Sequence, residues 1–198
     1  LSYKITAIPA FISLFKADGT TAVTSGTTLT VAEFAGLKYK TIADANGTGS
    51  VTFDVIDSGA STGANVNTLA SQSVSITVAA VNDAPVVNAQ STNTAYAEKA
   101  SALVANSAIT LSDVDSTNLT GATISISNGF TTGDVLAFTN ANGITGSYNS
   151  STGVLTLSGT ATVAQYQAAL QSVTYASSSA APTVTSTTRT LSWQVNDG

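Results

Sequence analysis

Apolar and polar residues alternate through Val51-Thr52-Phe53-Asp54-Val55, Val74-Ser75-Ile76-Thr77-Val78, Ile124-Ser125-Ile126 and Leu191-Ser192-Trp193-Gln194-Val195. A period of two buries one face of a strand and leaves the other to water, so each of these segments predicts a β-strand. Turn signals separate them. Asp18-Gly19, Asn128-Gly129, Asn142-Gly143 and Ser151-Thr152-Gly153 supply residues that tolerate positive φ, and residues 144–148 with 154–157 predict a hairpin around Asn149 to Gly153. Two segments break the period of two. Thr30-Val31-Ala32-Glu33 and Thr162-Val163-Ala164-Gln165 each match a capping box, and Val163, Tyr166, Leu170 and Val173 fall on one helical face. The pattern predicts an all-β chain with two short helices, each lying over the edge of a sandwich with Phe34 and Tyr166 in the core.

The two helical segments open a longer repeat. Thr30 to Phe34, followed by Leu37 and Tyr39, returns as Thr162 to Tyr166, followed by Leu170, Val173 and Tyr175. A strand ending in an acidic turn comes next in both copies, Phe53 to Gly59 and Trp193 to Gly198. The chain therefore reads as a tandem repeat. Between the copies, Pro85 ends any ladder and holds Ala84 extended, which puts the boundary at 83/84 and predicts units 1–83 and 84–198. The phase is offset. Leu1 to Thr6 reads as a strand from well inside a repeat, so the first unit is expected to want its N-terminal part. The second is expected to want the counterpart of Val74 to Val78, and sheet edges left open in this way can pair with another chain.

Composition narrows the function. Of the 198 residues, 43% are hydrophobic and 7% aromatic, enough for two modest cores. Charged residues make up 9% with a net charge of −5, and the basic residues Lys4, Lys16, Lys38, Lys40, Lys99 and Arg189 are scattered. Nucleic acid and anionic membrane surfaces, which need clustered basic residues, are not expected partners. No apolar run approaches a membrane span and no basic-then-apolar leader opens the chain, so any export signal is expected outside this sequence. Cysteine and histidine are both absent, which removes disulfides, thiol chemistry, the commonest general base and the usual zinc and copper ligands. Gly59-Ala60-Ser61-Thr62-Gly63 matches the G-x-S-x-G elbow of hydrolases, but that motif needs a histidine partner. No enzymatic activity is expected.

The acidic residues carry the remaining chemistry. Asp113 and Asp115 sit two apart in Leu111-Ser112-Asp113-Val114-Asp115-Ser116, and alternate residues of an extended loop project to one side. Calcium takes six to eight oxygen ligands from carboxylates and carbonyls, so such a pair suits it. The alternative is that Asp113, Asp115 and Asp197 are turn formers that hydrogen-bond their own backbone. The same choice applies in the first unit to Asp57, which occupies the place of Asp197, and to Asp44 and Asn46 in Ala43-Asp44-Ala45-Asn46-Gly47.

The linker Val81-Asn82-Asp83-Ala84-Pro85, the segment Leu111 to Ser116 and the closing Val195-Asn196-Asp197-Gly198 resemble the cadherin-like repeats of large bacterial repetitive adhesins, the RTX-type and biofilm surface proteins. The resemblance covers nearly all of the second unit and the later part of the first. It implies two tandem cadherin/immunoglobulin-like Greek-key β-sandwiches and calcium at the domain junction, held by Asn82, Asp83, Asp113, Asp115 and Asp197. Glu98, in Tyr96-Ala97-Glu98-Lys99, matches the first-strand Glu of such repeats less closely. It also implies an extracellular, cell-surface location and a calcium-stiffened spacer whose partners are neighbouring repeats of the same chain. The other reading is a module that binds cell-surface or matrix carbohydrate or protein. Exposed aromatic residues separate the two: Phe53, Tyr39, Trp193 and Tyr175 are expected to point inward, leaving Phe11, Phe15, Phe130 and Tyr148 unassigned.

Overall fold

The alternating segments become the central strands of antiparallel sheets. The computed structural model describes residues 1–59, 67–89 and 93–198, which are all β apart from two short helices. They form two units, Leu1–Val81 and Asn82–Gly198, each with its own core. The division falls before Asn82 rather than after Asp83, because both residues are hydrogen-bonded into the second unit.

In chain order the first unit consists of β1 (Ser2–Ala7), β2 (Ile12–Phe15), β3 (Ala22–Val23), β4 (Thr28–Thr30), α1 (Val31–Ala35), β5 (Lys38–Thr41), β6 (Gly47–Ile56) and β7 (Thr68–Val78). One sheet runs β4-β1-β6-β7 and the other β3-β2-β5. Ile5, Leu29, Val51 and Phe53 from the first pack with Ile12, Leu14 and Val23 from the second, which makes the unit a sandwich. Ile76 and Val78 of β7 pad this core from the side.

The second unit consists of β8 (Val86–Asn88), β9 (Leu103–Val104), β10 (Thr110–Ser112), β11 (Asn118–Asn128), β12 (Asp134–Ala137), β13 (Thr145–Asn149), β14 (Val154–Thr162), α2 (Val163–Gln171), β15 (Thr174–Ser177) and β16 (Thr190–Asn196). Its sheets run β13-β14-β11-β16 and β12-β15-β9, with β8 and β10 paired separately. Leu119, Ala122, Ile124 and Ile126 alternate inward along β11 and meet Leu155 and Leu157 of β14, Leu136 of β12 and Tyr175 of β15. The hairpin β13–β14 closes with Asn149 opposite Val154, as the turn residues predict.

The sequence repeat is a topological repeat. β4-α1-β5-β6 follows the path of β14-α2-β15-β16, and in both units an earlier strand, β1 or β11, lies between the first and last of these. Both helices open with a complete capping box, Thr30 with Glu33 and Thr162 with Gln165. They differ in burial: α2 covers Tyr166, Ala169 and Leu170, whereas the five-residue α1 buries none of its residues fully. Phe34 nevertheless stacks on Tyr3 at 4.2 Å between ring centroids and touches Phe53 at 4.7 Å.

One inward assignment is corrected. Tyr39 is 53% exposed, while its counterpart Tyr175 is buried. The cause is the neighbour on the far side: β15 is flanked by both β12 and β9, and the Tyr96 ring meets Tyr175 edge-on at 5.1 Å, whereas β5 ends its sheet.

Candidate metal centre

The loop between β10 and β11 is shaped by Asp113. Its Oδ1 accepts the backbone N–H groups of Asp115 at 3.2 Å and Ser116 at 2.9 Å, closing a turn that sends the chain into β11. The pairing of β16 with β11, which sets Asn196 opposite Gly121, brings Asp197 to the same end of the sheet. The result is a group of three carboxylates, Asp113, Asp115 and Asp197, each offering an oxygen within 4.8 Å of the others.

The leading segment of the unit is tied to this group. Asn82 Nδ2 donates to Asp197 Oδ2 at 2.8 Å, and the Asp83 backbone N–H donates to Asp115 Oδ2 at 3.1 Å. The Ser116 hydroxyl lies 3.4 Å from Asp197 Oδ2. Of the five residues that the resemblance picks out, three contribute side-chain carboxylates, Asn82 contributes its amide, and Asp83 contributes its backbone.

Turn formation accounts for one oxygen of Asp113 and not for the other. Asp113 Oδ2 is shielded from solvent and has no hydrogen-bond partner. A buried acceptor left unpaired is unfavourable and rare in folded proteins, and an ordered water or a cation satisfies it. Asp113 is held below the usual carboxylate range chiefly by the Ser116 N–H, against the opposing effect of burial, so the oxygen is anionic at neutral pH. The ion pairs among the described residues are Lys16 with Glu33, Lys99 with Glu98, and Arg189 with Asp134; no basic side chain answers the three clustered carboxylates. The cluster can hold a metal ion. Its donors are all oxygen, the set preferred by hard cations such as calcium and magnesium over zinc or copper. A half-turn of the Asn82 amide would exchange its donor for a carbonyl oxygen and add a neutral ligand.

The remaining candidates lie elsewhere. Glu98 is in a turn closed by the Ala100 N–H on the Ala97 carbonyl, 3.6 Å from the Lys99 ammonium, and is not part of the cluster. In the first unit, Asp57 Oδ1 accepts the Gly59 N–H at 2.6 Å, and Asp44 takes the turn conformation at φ 59° between β5 and β6, one residue from Ala45 and two from Asn46. Among the described residues these three belong to no acidic group of the kind formed by Asp113, Asp115 and Asp197. Residues 60–63 of the G-x-S-x-G match lie outside the described residues.

Sequence reasoning missed a second polar constellation. Asp134 is buried at the head of β12. Its Oδ2 receives Arg189 Nε at 2.6 Å and the Thr131 N–H at 2.9 Å, and its Oδ1 receives the Tyr175 hydroxyl at 2.8 Å. Arg189 also donates to the carbonyls of Ser186 at 2.8 Å and Pro182 at 2.6 Å, so the segment before β16 is wrapped around one guanidinium. Burial pushes the Asp134 carboxyl up, but its hydrogen bonds, Arg189 first among them, outweigh this and hold it below the usual range. Burial and the bond to Asp134 raise the Tyr175 hydroxyl to about 12. The one available signal was Asp134 itself, a charge at an inward position two residues from Leu136.

Fold and site together define an all-β chain of repeated sandwich units, one of which gathers three carboxylates able to hold a cation. A stretch of the chain is similar to halomucin of Haloquadratum walsbyi (strain DSM 16790 / HBSQ001), with 37% identity over 119 residues, covering 57% of this chain and 1% of halomucin. The match thus spans a hundredth of that very long protein. No family model matches the chain, and no solved structure matches it. Among the described residues no helix is long and apolar enough to cross a membrane.

Proposed function

We propose that the chain is a non-catalytic structural segment of a long extracellular, surface-associated repeat protein of the adhesin kind. In this reading calcium held by Asp113, Asp115 and Asp197 fastens the leading residues Asn82 and Asp83 to their unit. The observation that carries the reading is the buried, unpartnered Asp113 Oδ2 inside a three-carboxylate cluster that no basic side chain among the described residues pairs with. The recurring path of β4-α1-β5-β6 and β14-α2-β15-β16 supports a chain built by repetition, and similarity to one short stretch of halomucin supports a place at a cell surface. The spacer role, in cell adhesion or a biofilm, rests on that likeness and on the resemblance to cadherin-like adhesin repeats. Its immediate partners would be neighbouring repeats.

The side chains available for chemistry support a non-catalytic role. Histidine and cysteine are absent, and the buried carboxylate Asp134 has both oxygens committed to hydrogen bonds. The aromatic residues favour a spacer over a carbohydrate-binding face. Phe11, Phe15, Phe130 and Tyr148 are all half-buried, and Tyr39 stands alone as the large exposed aromatic among the described residues.

Extracellular calcium modules bind at about 10⁻⁴ to 10⁻³ M. At free calcium about tenfold above the dissociation constant, linkage adds roughly 1.4 kcal/mol for one site. The test is thermal unfolding in EDTA and in about 1 to 5 mM calcium, with magnesium at the same concentration for comparison. A rise in midpoint specific to calcium is expected. An unchanged midpoint would show the three carboxylates to be turn formers only.

A further inference from the structure

The motif Asn-x-Ser/Thr, the acceptor signature for N-linked sugar, occurs at Asn46-Gly47-Thr48, Asn118-Leu119-Thr120 and Asn149-Ser150-Ser151. Such matches arise by chance in a chain this rich in Asn, Ser and Thr, and the fold discriminates among them. Two are built into sheets. Leu119 is fully buried between Asn118 and Thr120 on β11, and the Thr120 hydroxyl donates to the Asn196 carbonyl at 3.3 Å. Gly47 and Thr48 are the first rungs of β6 against β7, with the Thr48 and Thr77 hydroxyls 3.1 Å apart. An enzyme reaches either of these only by pulling strand residues out of their ladders. The third match lies at the tip of the β13–β14 hairpin, where Asn149, Ser150 and Ser151 are all exposed and neither serine belongs to a ladder.

We propose that Asn149 is an acceptor for N-linked glycan, an inference that rests on the extracellular location proposed above. Asn149 Oδ1 accepts the Ser151 backbone N–H at 2.9 Å. Only the oxygen of a carboxamide can accept from an N–H, so the orientation of this one is fixed, and its Nδ2 has no partner among the described residues. The same bond draws electron density toward Oδ1 and makes the Nδ2 protons more acidic, which favours attack by the nitrogen. The backbone holds the tip in this form. The Asn149 carbonyl accepts the Gly153 N–H at 2.9 Å, and Gly153, at φ 70°, lies so close to the Phe130 ring that a Cβ there would come within 2.6 Å of it. The co-substrate is a sugar activated at C1 by pyrophosphate, carried on a lipid or on a nucleotide. In the transfer the Nδ2–C1 bond forms as the C1–O bond breaks; the pyrophosphate leaves with the electron pair, and one Nδ2 proton passes to a base of the transferase.

The experiment incubates the folded full chain, in separate arms, with a purified oligosaccharyltransferase and its lipid-linked oligosaccharide, and with a soluble asparagine glycosyltransferase and a nucleotide-activated hexose. Intact mass and peptide mapping are read on both, and on the chain extracted from its own cells. The expected result is a single sugar adduct on the peptide that carries Asn149, by at least one route and in the native chain, where its mass, oligosaccharide or hexose, tells the two donors apart. Asn149→Gln and Ser151→Ala should abolish the adduct, while Asn46→Gln and Asn118→Gln should leave it unchanged. Bare Asn149 in both arms, or sugar carried equally at Asn46 or Asn118, overturns the proposal. Surface labelling of the same cells reports location separately. A bare Asn149 on a surface-labelled chain overturns the acceptor site alone, whereas a chain found only inside the cell overturns the extracellular reading and the acceptor site with it.

Discussion

Asp113 and Asp134 show how one residue type takes opposite parts. Asp134 is a buried carboxylate whose charge is met on all sides by Arg189, Tyr175 and the Thr131 N–H. Asp113 uses one oxygen for a turn and keeps the other buried and unmet. The first is a structural clamp, so breaking it should cost stability. Arg189→Met leaves Asp134 buried without its counter-charge, and urea unfolding should show a loss of about 3 to 5 kcal/mol. The pH dependence has a definite sign. Because Asp134 sits below its ordinary value when folded, its stabilisation is present above the unfolded carboxylate range near pH 4 and is lost as pH falls through the folded value. The native chain should therefore lose stability in acid more steeply than Arg189→Met, in which the depressed value is relieved. Sequence reasoning reached Asp113 and Asp115 because their spacing puts two carboxylates on one loop. It missed the clamp because Asp134 and Arg189 lie 55 positions apart and nothing near Arg189 marks the segment that folds around it.

Local chemistry and tertiary packing separate cleanly in the two helices. Both capping boxes were legible, since the interaction joins residues three apart and depends on side-chain type alone. The burial beneath each helix was less so. Thr162→Ala removes the cap from a helix that covers Tyr166 and Leu170, and should destabilise the second unit by about 1 kcal/mol in a thermal or urea melt. Thr30→Ala, on a five-residue helix with no fully buried side chain, should cost less; equal losses would argue that the cap matters in itself and not through the face it holds down. Strands behave in the same way. Alternation identified β6, β7, β11 and β16, but not which of them would lie at an edge, so Tyr39 was expected inward and is exposed. The period of a strand gives its faces, while its number of neighbours is set by pairings distant in sequence.

At the scale of the molecule, repetition is the organising fact. The path β4-α1-β5-β6 recurs as β14-α2-β15-β16, each copy over a core of its own. The copies are not chemically equal. The cluster of Asp113, Asp115 and Asp197 belongs to the second unit, where it collects residues from the leading segment, the β10–β11 loop and the end of β16. A cation there would join three parts of the chain that are far apart in sequence, and Asn82 and Asp83 already point their donors at the same carboxylates. The measurement closest to the centre of this account is a calcium titration of the full chain by calorimetry, beside the Asp113→Asn variant. One calcium bound per chain, with binding lost or weakened at least tenfold in the variant, is the predicted result, since one pKa-scale step of about 1.4 kcal/mol is a tenfold change in affinity. Absence of binding to the native chain, or equal binding by Asp113→Asn, would contradict it.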